Sequence, residues 1–487
     1  MKPIKTIKIH PAIGIARIGN SPTDYFIGPE LAGARLRPKG GYKDAKGRIK
    51  RQAARFRLFG YDAKGKLVKE ITSKDALITW TVHVANKKAA WRTFEGVSKT
   101  APWRNADVSD RSSLVIDPGP YSIVGPKQSA EMFGGQFLGT PVALGEVRTD
   151  AAGHLLVLGG FGLASSPANQ PLTHFANNDG WHDDVSDGPV TATVTLKGTG
   201  KTIQSMGAWV ICAPPDFAPA IGNVITLYDT LLQTAVDNLK LKLPAKPSFT
   251  RDIYPILQHA MDMKWVSMMI ATAHAHVTLA PVMPPHGSPA MRAAIFNRLR
   301  DPATPHGTES ENDMPMLWSD YYPAKSNEPL TRVQYDIMKK WKNGNFVNDW
   351  KGTPRPAKTI SPANLDRAAL EACVGGAFFP GIEASWLLRD SYKFSEPFRL
   401  DHAQREPGDV TKQMAVPWQA DFTDCTQEDE LAWWPAQRPD AVFPEHGGPQ
   451  MEWTRGIVAS PEDMVTKWHL LGFVIKKGKK FVETERR

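Results

Sequence analysis

Val190-Thr191-Ala192-Thr193-Val194-Thr195-Leu196 places an aliphatic residue at every second position with threonine between, the period-two pattern of a strand with one buried face. Valine and threonine are β-branched and pack well on a pleated surface. Lys197-Gly198-Thr199-Gly200 then ends the run with turn residues. Working outward, Leu77-Ile78-Thr79-Trp80-Thr81-Val82-His83-Val84, Ala54-Arg55-Phe56-Arg57-Leu58-Phe59 and Lys8-Ile9-His10 are further short alternating or β-branched runs, and Asp62-Ala63-Lys64-Gly65 is another turn. Trp209-Val210-Ile211-Cys212 reads as an apolar strand. Such spacing predicts sandwich-like sheets joined by long connections.

Helical periodicity takes over further along. Val224, Leu227, Tyr228, Leu231 and Ala235 share one helical face. Ser288-Pro289 is an N-cap followed by proline at the first helical position, opening a helix that reaches about Arg300. Leu330, Val333, Ile337 and Trp341 form another stripe, closed by Asn343-Gly344, and a fourth helix runs from Ser361-Pro362 to Gly375. Between Phe379 and Pro461 the chain is proline-rich and irregular. The expected fold class is α+β: a β-rich, sandwich-like part over residues 1–215, then a helical and loop-rich part over 216–487 that carries the chemistry. The segment Asn223 to Pro247 is assignable to either part.

A chain of 487 residues has room for about two or three domains, and 41% hydrophobic with 22% charged residues is an ordinary globular composition. No apolar run reaches the ~18 residues that span a bilayer, and Met1 to His10 alternates lysine with isoleucine without the apolar core of a signal peptide. The expectation is a cytoplasmic protein, or one exported without a cleaved signal, with no membrane partner. The net charge of +9 sits largely in Lys39 to Lys69 and in Lys476-Lys477-Gly478-Lys479-Lys480 through Arg486-Arg487. Neither stretch carries the interleaved aromatics of single-strand binders. Solvated loops and a mobile tail are expected there, not a nucleic-acid surface.

Cys212, Cys373 and Cys425 are too few for a disulfide framework and lack CxxC spacing. Cys212, inside an apolar strand, reads as an inert buried thiol. Cys373 is placed differently, where the fourth helix runs into Gly375-Gly376. Leu365, Ala369, Ala372 and Cys373 lie at helical spacing, so the thiol shares an apolar face. Gly375 is expected to end the helix in the left-handed conformation, and Gly376 to admit a neighbouring segment. A thiol at a helix C-terminus meets the negative end of the dipole, which raises its pKa and argues against a thiolate nucleophile. Downstream, Trp433-Trp434-Pro435 follows an acidic loop from Asp421 to Glu430, and Pro435 biases Trp434 towards an extended conformation. From the residues alone the pair reads as two packed tryptophans.

Other clusters are weaker. His274-Ala275-His276 lacks further ligands at zinc spacing, and Asp183-Asp184-Ser186-Asp187 has neither the EF-hand register nor a closing glutamate. Both read as structural loops. Gly160-Phe161-Gly162 follows an apolar strand but has no third glycine or following helix, and reads as a turn.

His10-Pro11-Ala12-Ile13-Gly14-Ile15-Ala16-Arg17-Ile18-Gly19-Asn20-Ser21 with Tyr25 to Glu30, Asn177 to Pro189, Trp209 to Pro219, Leu330 to Trp350, Cys373-Val374-Gly375-Gly376, and Pro417 to Phe422 onward to Pro439 together resemble the LodA-like family of quinone-dependent amino-acid oxidases, which includes lysine ε-oxidase and glycine oxidase. The resemblance covers nearly the whole chain, which is shorter than other family members. It implies a protein-derived cofactor, cysteine tryptophylquinone, with Cys373 supplying the sulfur and Trp433 or Trp434 the oxidised ring. Trp434 is favoured because Pro435 fixes its direction. Family members carry an acid one helical turn before the cysteine. Here that position is Ala369, so that either Asp366, on the same face, substitutes for it or maturation differs in this chain.

The implied reaction is oxidative deamination of a primary amine or amino acid by dioxygen, releasing an aldehyde or oxo acid, ammonia and hydrogen peroxide. Asp401, His402 and His446 are the candidate bases, and Arg438 the candidate clamp for a substrate carboxylate. A separate flavoprotein for maturation and a homo-oligomeric state are also expected. No resident metal is. The rival reading is a non-catalytic binding or structural protein in which Cys373 stays a free thiol.

Overall fold

The computed structural model describes residues 3–94, 100–129, 131–275, 277–279, 287–304, 313–317, 327–352, 354–376, 382–384, 386–389, 393–424 and 433–487. His276, Phe379, Cys425 and Glu430, named above, lie outside them.

Ser186–Leu196 is an interior strand of a 13-stranded sheet. Val190, Ala192 and Val194 are buried and the threonines between them half-buried, as the alternation requires. Along the sheet the order is Tyr121–Val124, Ala76–Val82, Ser186–Leu196, Ala208–Ala213, Ile13–Arg17, Arg51–Tyr61, Leu155–Gly159, Thr140–Thr149 and Glu131–Phe137. Most pairings are antiparallel. Ala208–Ala213 runs parallel to Ile13–Arg17, with Trp209 beside Ile13 and Ala213 beside Arg17. Trp80 and Val82 from one end of this order share a core with Phe133, Phe137 and Leu144 from the other. The sheet therefore curls over one apolar interior, giving the β-rich, sandwich-like N-terminal part.

The helices follow the sequence signals at their N-termini. Thr226, Ser288, Thr331 and Ser361 each cap the helix that follows through a side-chain oxygen. Their C-termini differ from expectation. The helix from Pro289 ends at Phe296, and the one from Pro362 ends at Leu370. Beyond Leu370 the backbone pairs elsewhere: the Cys373 carbonyl accepts the Leu227 N–H at 3.1 Å and the Gly375 N–H donates to the Ile225 carbonyl at 3.0 Å. Cys373 therefore lies in a loop past the helix, and Gly375 is absent from the glycines with positive φ.

The basic stretches also differ from expectation. Phe473–Lys477 and Lys480–Thr484 form a hairpin. Phe473 stacks on Tyr42 with ring centroids 4.7 Å apart, and the Val474 N–H donates to the Phe217 carbonyl at 2.7 Å. Only the turn, Lys476 to Lys479, is exposed, so this is a packed element with a charged tip, not a mobile tail. Within Lys39 to Lys69, Arg51–Tyr61 is a central strand and Lys43 is buried. Trp433, Trp434, Trp341 and Phe473 pack with Ile18, Tyr42 and Ile49 in a second core that draws on both parts of the chain. No helix among the described residues is long and apolar enough to cross a membrane.

Candidate active site

The site is assembled on the short extended segment ahead of the helix Leu227–Asn238. Thr226 closes a capping box with Asp229: its backbone N–H donates to the Asp229 carboxylate at 2.9 Å and its hydroxyl accepts from the Asp229 N–H at 3.3 Å. One edge of the segment takes the backbone of Cys373 and Gly375, as above. A Cβ on Gly375 would meet the Thr226 carbonyl oxygen at 2.0 Å, so close approach, not a left-handed backbone, demands glycine there. The other side of the segment takes the second motif. Asn223 accepts the Ala436 N–H at 2.9 Å and donates to Gln437 Oε1 at 3.0 Å. Gln437 Nε2 then reaches the Ala372 carbonyl at 3.4 Å. Asn223, Val224, Ile225, Met263, Leu317, Val374, Gly376, Trp433, Trp434 and Pro435 line the cleft between the two motifs.

Cys373 is fully buried beneath this junction. Its Sγ donates to the Ala369 carbonyl at 3.2 Å and lies 3.8 Å from Arg17 Nη2. The same guanidinium nitrogen pairs with Glu383 Oε1 at 2.6 Å, and Glu383 Oε2 accepts the Val374 N–H at 3.0 Å. Burial pushes the thiol well above its ordinary range, and the Glu383 charge and hydrogen bond add to the effect. Asp216 joins this charge field. Its carboxyl is pushed up to about 6 by burial, against the pull of Arg17 and with Glu383 adding to the rise. The raised thiol thus owes its state to burial and an anion, where the sequence suggested the helix dipole.

Each tryptophan has a distinct environment. The Trp433 N–H donates to the Met316 carbonyl at 2.7 Å. Its ring meets His274 edge-on, with centroids 5.5 Å apart at 88°. His274 Nδ1 is buried with no hydrogen-bond partner among the described residues. Burial, Lys264 and Arg298 all lower the His274 pKa, so the ring is neutral near pH 7. Trp434 lies under the Arg438 guanidinium, 5.0 Å from the ring centroid. Arg438 is fully buried, donates to the Asp421 carbonyl and lies 3.8 Å from the Asp421 carboxylate. It is enclosed against Trp434 and is not among the residues lining the cleft. Asp421 itself belongs to the helix Trp418–Asp424, where an acidic loop was expected.

The structure does not gather the other expected site residues here. Asp401 caps the short helix His402–Gln404, and His402 packs edge-on against Trp209 at 5.4 Å. His446 is exposed in a separate cleft of about 230 Å³ shared with Lys264, Trp265, Phe443 and Lys480. None of the three lines the tryptophan cleft. Asp366 binds the Ala12 N–H at 2.6 Å and His10 Nδ1 at 3.0 Å, which ties its helix to the sheet. The acid beside the thiol is Glu383. Sequence reading missed Glu383 and Arg17, although Arg17 falls inside the quoted N-terminal motif. It also set His274 aside as half of an unconvincing metal pair.

The remaining clusters are consumed by the fold. Asp183 pairs with buried Lys88, and Asp187 accepts from Trp209 Nε1 at 2.8 Å and from Thr411. Asp184 fills the glycine loop itself, accepting the N–H groups of Phe161, Gly162 and Leu163 at 2.6–3.1 Å. Cys212 is buried in its strand, its thiol pushed up to about 12 by burial.

With this geometry in hand, residues 10–212 match the model of the L-lysine ε-oxidase N-terminal region and residues 312–453 that of the L-lysine ε-oxidase C-terminal domain. The L-lysine 6-oxidase of Marinomonas mediterranea is 31% identical, over 86% of this chain and 71% of that protein. This chain belongs to the L-lysine ε-oxidase family, the LodA-like oxidases. Solved structures agree. The L-Lys ε-oxidase from M. mediterranea superposes with a TM-score of 0.80 at 26% identity, covering 99% of this chain and 95% of that one. The Schiff base intermediate of the same enzyme with L-Lys gives 0.81 at the same identity and coverage. Family membership makes this protein an oxidoreductase of the amino-acid oxidase type.

Proposed function

We propose that this oxidase carries a cysteine tryptophylquinone formed from Cys373 and Trp434, or Trp433 in its place, and deaminates a small primary amine, foremost an amino acid such as glycine or a basic one. The observation that carries this reading is the meeting of Ala372–Gly376 and Trp433–Gln437 across Asn223–Leu227, closed by the Gln437–Ala372 hydrogen bond. The residues fit the group: a fully buried thiol that is a poor free nucleophile, and two buried indoles in the cleft its own loop lines. When formed, the quinone supplies the electron sink for oxidation at the amine-bearing carbon.

The chain's own groups do the rest. Met263, Leu317, Val374 and the indoles keep the cleft apolar, which strengthens polar interactions made inside it. None of the described residues lining the cleft is ionisable, and His274 Nδ1, neutral and without a hydrogen-bond partner among the described residues, stands at the edge of Trp433 as the base for proton removal. Overall, amine, dioxygen and water give a carbonyl product, ammonia and hydrogen peroxide. The +9 net charge draws carboxylate-bearing substrates, an effect that salt screens. A separate flavoprotein builds the cofactor, and the protein works as a homo-oligomer.

Peptide mapping of protein from its native host tests the assignment. Cys373 should be recovered joined to the Trp433–Trp434 peptide with added oxygen, in a coloured protein that releases peroxide from amino acids. A fully alkylatable Cys373 in active protein would overturn it. The same free thiol in a colourless, peroxide-silent protein would leave the non-catalytic alternative.

A further inference from the structure

Glu383 is fully buried, and its position is not explained by folding alone. Arg17 lies on one of its oxygens, the Val374 N–H on the other and the Cys373 thiol against it. A buried ion pair is weak support for stability, because desolvation of both charges offsets most of the attraction. The thiol beside it has a matching need. Cys373 has no contact with water, so any reaction at sulfur that releases its proton must hand that proton to a neighbour. The Ala369 carbonyl accepts a hydrogen bond from the thiol but not a proton. Arg17 holds its protons, as an arginine always does in a protein. Asp366 is occupied by Ala12 and His10 on the sheet side, and Ala369, one turn before the cysteine, has no polar side chain.

Resting on the quinone reading above, we infer that Glu383 is the proton acceptor for the Cys373 thiol when the sulfur–indole bond forms, with Arg17 as the residue that positions both. The bond replaces the S–H of Cys373 and one aromatic C–H of the indole. Two protons and two electrons leave. The sulfur proton goes to Glu383, the ring proton to solvent entering the cleft, and the electrons to an external two-electron acceptor of the flavin or dioxygen class. Arg17 and the Val374 N–H each donate to one Glu383 oxygen, while burial pushes the Cys373 thiol well above its ordinary range. Proton transfer from a resting thiol is therefore uphill, and becomes favourable only as sulfur gives electron density to the ring. This coupling keeps the thiol inert until the ring is activated, and it supplies an acid site that neither Ala369 nor Asp366 provides.

Glu383→Gln protein from the native host, digested after denaturing alkylation, tests this directly. The expected result is at least tenfold less cross-linked Cys373 than wild type at an unchanged melting temperature, with partial recovery in Glu383→Asp. Because Glu383→Gln leaves Arg17 unpaired, a second variant, Arg17→Gln with Glu383→Gln, keeps a neutral hydrogen-bonded pair and should be equally uncross-linked. Wild-type cross-linking in either glutamine variant overturns the inference. An uncross-linked wild type overturns the quinone reading beneath it, so the two failures are told apart.

Discussion

Gly375 holds the two halves of the site at contact distance. With the Thr226 oxygen only 2.0 Å from where a Cβ would sit, Gly375→Ala must push the Cys373 loop off the Asn223–Leu227 segment. It should cost about 1–3 kcal/mol and lower the yield of cross-linked Cys373, read by urea unfolding and peptide mapping together. Cross-linking at the wild-type level would mean that the loop bends without losing the junction. His274→Ala makes the complementary case. It should leave Cys373 cross-linked while lowering kcat by about 10²–10⁴-fold, and an unchanged kcat would place the base elsewhere. Cys373 and the Trp433–Trp434 pair were picked out in the sequence by the family resemblance, the residues alone reading as a helix-end thiol and two packed tryptophans. Glu383, Arg17 and His274 were not, because their roles depend on a thiol and an indole brought to them from 10 to 356 residues away along the chain. Asp401, His402 and His446 drew attention by closeness in sequence, which a chain that crosses between sheet and helices does not preserve.

Among the elements, strands were more legible than helix ends. Val190, Ala192 and Val194 alternate because one face of their strand meets a core, and that cause is local. The helix Pro362–Leu370 stops where Cys373 and Gly375 find partners in Ile225 and Leu227, and that cause is tertiary. The strand Leu67–Ile71 carries a testable charge effect. Glu70 is bound by His154 and Arg57, at 3.0 and 2.8 Å, and its carboxyl falls from 4.5 to about 2, chiefly through the His154 hydrogen bond. A lowered folded-state pKa stabilises above the unfolded value, and the contribution is lost as pH falls from about 4.5 towards 2. Glu70→Gln should therefore cost about 1 kcal/mol at pH 7, the group being partly solvated, and nothing near pH 2. Urea unfolding at the two pH values measures this, and an equal loss at both would show that shape, not charge, carries the effect.

Across the whole molecule, charge counting misplaced the basic segment after residue 475. Lys476 to Lys479 are exposed, but Phe473, Val474, Ile475, Phe481 and Val482 belong to the core that holds Trp433 and Trp434. A chain ended before Leu471 should lose that core, melt at least 10 °C lower or not fold, and yield no cross-linked Cys373. A truncated chain with normal cross-linking would detach the hairpin from the site. The same packing imposes an order of events during synthesis. The ribosome makes Cys373 first, the tryptophans next and the hairpin after both, and the hairpin also needs Tyr42 and Phe217, made long before. While the nascent chain still lacks residues 473–484, the core that includes the indoles is incomplete. A maturation enzyme acting on the finished architecture would thus meet only chains translated past Thr484, so that prematurely terminated products stay chemically inert.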